Sequence, residues 1–124
     1  MKKTNKIALD KYYTNTELAQ YCINKTYDII GKENITEIVE SSAGAGSFSN
    51  LIPNCIAYDI EPENDNIIKA DYLTLEMDYK KGRLHIGNPP FGRQSSMAIK
   101  FIKKSCLFCD TLSFILPRSF KKIS

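Results

Sequence analysis

No apolar run in the sequence approaches the roughly 18 residues that a membrane-crossing helix requires, so a helical membrane span is excluded as the organising element. The segment Met1-Lys2-Lys3-Thr4-Asn5-Lys6 leads into a mixed stretch and not into an apolar signal core, which makes cytoplasmic the expected location. Histidine is scarce: His85 stands alone, and Cys106-Leu107-Phe108-Cys109 is half of a zinc motif without a second pair. No metal is expected. Nothing marks secretion either, so Cys22, Cys55, Cys106 and Cys109 read as reduced, partly buried thiols. Internal repeats and low-complexity linkers are lacking, and 124 residues leave no room beside one core for a second domain of ordinary size.

Acid is almost missing from the C-terminal part. After residue 79 the sole Asp or Glu is Asp110, against ten Lys and Arg, a net +9, while residues 1–79 carry seven bases and thirteen acids, a net −6. The asymmetry, hidden within an overall +3, makes the C-terminal part a candidate polyanion surface. Taken singly, Lys100, Lys103 and Lys104 suit the solvated face of a helix equally well, so only the asymmetry as a whole favours nucleic acid.

What the chain does contain is an alternation of helical segments and short apolar runs. The spacing predicts a helix over 14–30, with Thr14 or Thr16 as its cap and Gly31 at its end. Strands are predicted at Ile35–Glu40, Cys55–Ile60, Asn66–Ala70, Arg83–Gly87 and Thr111–Leu116, the last stopped by Pro117. A short helix is expected over Ser47–Leu51 before Pro53, and a lysine-faced one over Ser95–Cys106 with Met97, Ala98, Phe101 and Ile102 turned inward. Strands separated by helical or looping crossovers argue a parallel α/β sheet. In such sheets ligands sit at the carboxyl ends of the strands, where the distinctive residues fall.

Ser41-Ser42-Ala43-Gly44-Ala45-Gly46 follows the first strand and lets the backbone turn sharply and approach a ligand closely. Alone it reads equally as a structural turn or as the start of a nicotinamide-cofactor fingerprint, whose third glycine is replaced by Ser49. Asp59 ends the next strand fifteen residues after Gly44. In isolation it is an ordinary surface Asp; coupled to the loop, its carboxylate can accept from both hydroxyls of an adenosine ribose. Asp71, after the third strand, can accept from an adenine amino group, with Ile60 and Tyr72 offering apolar faces to the ring.

Asn88-Pro89-Pro90-Phe91 is the most specific signal. An aromatic amine is a poor nucleophile because its lone pair is delocalised. The Asn88 oxygen and the Pro89 carbonyl can each accept one amino hydrogen, drawing the nitrogen toward tetrahedral geometry. Pro90 restricts the backbone further, and Phe91 offers a ring for a base extruded from its stack. A Pro-Pro turn closing a strand would explain the prolines but not the flanking Asn and Phe.

With these residues the chain resembles the amino-group (N6-adenine type) S-adenosylmethionine-dependent methyltransferases. Lys11-Tyr12-Tyr13-Thr14 is similar to the family's N-terminal motif, and Glu40 through Phe48 to its first glycine motif. Asp59 is similar to its ribose-binding acid, Asp71 to its adenine-contacting acid, and Asn88–Phe91 to its catalytic loop. The family usually has Pro where this chain has Asn15 and Ser41. The resemblance implies a Rossmann-like methyltransferase sheet in which residues 1–124 supply parallel strands one to five. The family's last antiparallel pair and a target-recognition domain are missing from this reading, which implies a partner subunit or a further C-terminal part.

It also implies S-adenosyl-L-methionine as cofactor, held by Tyr13, Thr14, Ser42, Ala43, Gly44, Gly46, Asp59, Ile60, Asp71, Tyr72 and Asn88, with Asn88, Pro89, Pro90 and Phe91 as the catalytic group. The expected reaction is methyl transfer to the exocyclic amine of a nucleic-acid base, adenine N6 in DNA first and in RNA second. Protein glutamine is the rival acceptor. A domain that binds cofactor or a partner subunit without turnover is the non-enzymatic alternative. Cytosine C5 chemistry needs a thiolate, usually a Cys after Pro, and no Pro-Cys pair exists. A nicotinamide dehydrogenase lacks both its full fingerprint and a hydride-transfer pair.

Overall fold

A computed structural model of the chain describes residues 14–90 and 96–116. In chain order the elements are α1 (Thr16–Ile30), β1 (Glu37–Glu40), β2 (Ile56–Asp59), β3 (Ile68–Lys69), β4 (Arg83–Gly87), α2 (Ser96–Ser105) and β5 (Thr111–Phe114). Helix α1 starts between the positions that the two expected caps would set, because Asn15 takes that role: its side chain accepts from the Leu18 N–H at 2.8 Å. A short amide reaches the third helical N–H as well as a hydroxyl does. Gly31 closes the helix at φ +88°, its N–H donating to the Tyr27 carbonyl at 2.9 Å. A Cβ there would come within 2.6 Å of Glu33 Oε2, so glycine is required.

All five strands run parallel, in the order β3-β2-β1-β4-β5. The chain therefore builds outward from β1 to β3, then returns to place β4 on the other side of β1. This α/β arrangement is compatible with a Rossmann-like fold, whose ligand crevice lies at the reversal point between the first and fourth strands. Only the β4–β5 connection contains an α-helix among the described residues. Single 3₁₀ turns at Ser49–Leu51 and Tyr72–Thr74 serve the β1–β2 and β3–β4 connections. The helix expected over 47–51 is reduced to the first of these turns, with Pro53 two residues beyond it.

Alternation along β4 separates two cores. Ile86 packs with Ala19 and Ile23 of α1 and with Phe48 and Ile52, while its neighbour His85 points to the opposite face, against the rings of Tyr72 and Phe108. On that second face α2 contributes Phe101, supported by Met97 and Phe114. At the amino ends of β1 and β4, Arg83 Nε donates to Glu37 Oε2 at 2.8 Å and its Nη1 to the Asp78 and Phe108 carbonyls at 2.6 and 3.0 Å. Lys80 Nζ reaches Glu37 Oε1 at 3.0 Å. The carboxyl ends of the strands carry a different set of groups. Among the described residues no helix is long and apolar enough to cross a membrane.

Candidate active site

A cleft with a cavity volume of about 120 Å³ lies at the carboxyl ends of β1, β2 and β4. Its first wall is the turn after β1. Ala43 donates to the Tyr58 carbonyl at 2.9 Å, and Gly44 and Gly46 take φ of +58° and +89° to complete the turn. Asp59 Oδ2 accepts from Gly44 N–H at 2.7 Å, and its Oδ1 accepts from Glu61 N–H at 2.7 Å. Asp59 is thus 5% exposed and lines the cleft, yet it also holds the glycine turn to β2. The sequence suggested only a ligand role for it.

Ser42, Ala43 and Gly44 line the cleft; Gly46, expected beside them, does not. Its N–H bonds the Ala43 carbonyl at 2.7 Å and its carbonyl accepts from Asn50 N–H at 2.9 Å. The second glycine turns the chain away from the cleft, where a Cβ would approach Asn50 Oδ1 to 2.9 Å. Its work is structural.

Ile60, 60% exposed, and Asp71 stand at the opposite lip. Asp71 caps the 3₁₀ turn that follows it, with Oδ1 accepting from Leu73 N–H at 3.1 Å. Tyr72 forms part of the floor in a different manner from the surface ring expected. Only 2% exposed, it stacks on Phe101 at 5.1 Å, and its hydroxyl lies 2.7 Å from His85 Nδ1 and 2.6 Å from Ser105 Oγ. That polar end points into the core. Burial drives the His85 pKa down to about 4, so the ring is neutral at pH 7, and burial also raises the Tyr72 phenol well above its ordinary value.

On the β4 side, Asn88 Nδ2 donates to Thr14 Oγ1 at 3.1 Å, and both residues line the cleft together with Pro90. The amide oxygen of Asn88 is directed to the other edge of its plane. Pro89 is fully buried and does not line the cleft, so its ring anchors the segment and only its backbone can serve a ligand. Tyr13 and Phe91, expected at the cofactor and the target base, lie outside the described residues.

Six lining residues were not among those expected: Glu40, Ser41, Ser47, Ala70, Met97 and Phe101. Met97 and Phe101 carried only a core signal, being inward positions of α2. Glu40 had a sharper one, an acid directly before the glycine turn. It is 1% exposed, accepts from Ser49 N–H at 2.8 Å and from Phe48 N–H at 3.3 Å, and burial pushes its pKa up to about 7. The Asp59 carboxylate adds a smaller upward push, while the two amides pull the other way.

Among the described residues the lining therefore carries three carboxyl groups, Glu40, Asp59 and Asp71, and no Lys, Arg or His. The basic C-terminal part is arranged less simply than its count suggests. Lys80 and Arg83 are paired with Glu37 at the far end of the sheet, Lys100 and Lys103 are exposed on α2, and Lys104 Nζ lies 5.3 Å from the centre of the Phe108 ring. Arg93, Arg118, Lys121 and Lys122 lie outside the described residues. Among the described residues no group of three or more His, Cys, Asp or Glu is placed to hold a metal ion, and the four cysteines are unpaired thiols.

Fold and cleft together define a parallel α/β protein with an acidic, partly apolar crevice at its strand-reversal point. No family model, curated protein or solved structure matches the chain.

Proposed function

We propose that this chain is the core of an S-adenosylmethionine-dependent methyltransferase acting on the exocyclic amine of a nucleic-acid base, adenine N6 in DNA. The observation that carries the reading is the composition of one cleft: a glycine turn, Asp59, Asp71, Asn88 and Pro90, with three carboxyl groups and no cation among the described residues. Two unit charges about 6 Å apart interact by about 3 kcal/mol at an effective dielectric near 20. An acidic crevice therefore favours a ligand with a net positive amino-acid and sulfonium end, and it disfavours the pyrophosphate of a dinucleotide by a similar amount. The donor set fits the cofactor on chemical grounds: Asp59 suits ribose hydroxyls, Asp71 the adenine amine, and Ile60 a purine face.

When bound, the cofactor supplies a methyl carbon made electrophilic by its positive sulfur, which departs as a neutral thioether. The chain's own task is to prepare the amine. Asn88 is held by Thr14 through its amide nitrogen, so its oxygen is the edge that accepts an amino hydrogen from the target. The Pro89 carbonyl accepts the second. Two acceptors at one nitrogen localise its lone pair and fix its direction of approach, and the surplus proton passes to solvent once the new N–C bond has formed. No general base is required. The preference for nucleic acid over a glutamine amide rests on Phe91 and on the basic C-terminal part of the sequence.

The test is the Asn88→Ala protein, assayed with radiolabelled S-adenosylmethionine and adenine-containing oligonucleotides. Transfer should fall by roughly 10²–10³, as on loss of one positioned polar group in a catalytic site, while S-adenosylhomocysteine affinity stays close to the parent's. Transfer at the parent rate would remove Asn88 from the chemistry. Label entering a glutamine-bearing peptide in place of oligonucleotides would change the acceptor.

A further inference from the structure

We propose that the Ser41 hydroxyl is a ligand-binding group of the cleft that bonds the amino-acid end of S-adenosylmethionine, an inference that rests on the cofactor reading above. Ser41 is 2% exposed and lines the cleft, and its Oγ is buried with no hydrogen-bond partner among the described residues. Buried hydroxyls nearly always have a partner, since leaving water without one is costly. A serine Oγ turns about a single bond and can choose among neighbouring carbonyls, yet this one takes none. Its environment makes sense when the missing partner arrives with a ligand.

Position identifies which part of the ligand. In the β1–β4 register Glu40 pairs with Ile86, so Ser41, the first residue after β1, leaves the sheet beside the end of β4, which Asn88 follows. Asp59 and Asp71 lie across the sheet, at the ends of β2 and β3. A ligand whose ribose and adenine occupy the Asp59–Asp71 side therefore extends its other end toward β1 and β4, where Thr14, Ser41 and Asn88 lie. The polar groups at that end are an ammonium and a carboxylate. Of the three lining carboxyl groups, Glu40 adjoins Ser41 in sequence, and a carboxyl group beside the site favours the ammonium over a second carboxylate. The ammonium donates and Ser41 Oγ accepts.

Two ligands separate this role from a structural one. S-Adenosylhomocysteine carries the amino-acid end, and 5′-methylthioadenosine keeps the nucleoside and thioether without it. Calorimetric titration of Ser41→Ala should show a roughly 12–160-fold loss of affinity for the first, the range of one hydrogen bond to a charged group. Affinity for the second, measured by competition, should be unchanged. The unliganded variant should melt at or above the parent's temperature, because an unpartnered buried hydroxyl has been removed. Unchanged affinity for S-adenosylhomocysteine, equal losses for both ligands, or a lower melting temperature would each overturn the proposal. A parent protein that binds neither compound would remove the cofactor reading itself. A parent that binds both, with the variant unaffected, would remove the Ser41 role alone.

Discussion

Glu40 and His85 are adjacent-strand residues, both essentially removed from solvent, and their titrations push stability in opposite directions. Burial holds the Glu40 carboxyl at about 7, above its ordinary 4.5, so the folded protein binds a proton that the unfolded chain has released. Its contribution is complete below pH 4.5 and is lost as pH rises to 7. His85, lowered from 6.5 to about 4, behaves in reverse: its contribution is complete above pH 6.5 and is lost as pH falls to 4. Each is worth on the order of 3 kcal/mol over its window, at about 1.4 kcal/mol per tenfold change. Between pH 4.5 and 6.5 the two slopes nearly cancel.

Glu40→Gln removes one slope and keeps the other. Urea unfolding of parent and variant from pH 4 to 8 gives a difference curve in which groups common to both drop out. The variant should gain on the parent by on the order of 3 kcal/mol between pH 4.5 and 7, whatever constant penalty the lost Phe48 and Ser49 hydrogen bonds impose. A difference curve flat across that window would refute the reasoning, because it would mean that Glu40 titrates alike in the folded and unfolded chains.

Tyr72→Phe should cost about 1–3 kcal/mol in denaturant unfolding, since it leaves Ser105 Oγ and His85 Nδ1 buried without the hydroxyl that joins them; a cost below about 0.5 kcal/mol would show that the network contributes nothing net. Asp59→Ala should lower both the unliganded melting temperature and the S-adenosylhomocysteine affinity, the latter by roughly 1.5–3 kcal/mol, because the same carboxylate holds the Gly44 and Glu61 amides and faces the cleft. Loss of stability with unaltered affinity would leave Asp59 a loop anchor only.

The parallel α/β class and the position of every described strand were legible because apolar runs and turn residues alternate strongly. Arg83–Gly87 begins and ends where expected, whereas Cys55–Ile60 and Asn66–Ala70 shrink to Ile56–Asp59 and Ile68–Lys69. Apolar patterning continues past the last ladder bond, so it overstates strand length. Strand order was beyond reach, since it depends on which residues 40 or more positions apart pair, as Glu37 does with Arg83. Within the cleft, residues with unusual chemistry for their context were legible: Gly44, Asp59, Asp71 and Asn88. Met97 and Phe101 were not, because a residue that lines a crevice from a helix has the same pattern as one that fills a core. Nor does charge counting show that Lys80 and Arg83 both pair with Glu37 at the end of the sheet away from the cleft.

The central claim is that the crevice at the β1–β4 reversal takes a nucleoside cofactor that has no pyrophosphate, and calorimetric titration of the purified chain with S-adenosylhomocysteine beside NADH tests it most directly. With Glu40, Asp59 and Asp71 lining the cleft and no basic side chain among the described lining residues to meet a pyrophosphate, S-adenosylhomocysteine should bind with one-to-one stoichiometry and NADH should give no heat of binding. Binding of NADH in the absence of S-adenosylhomocysteine binding would contradict it.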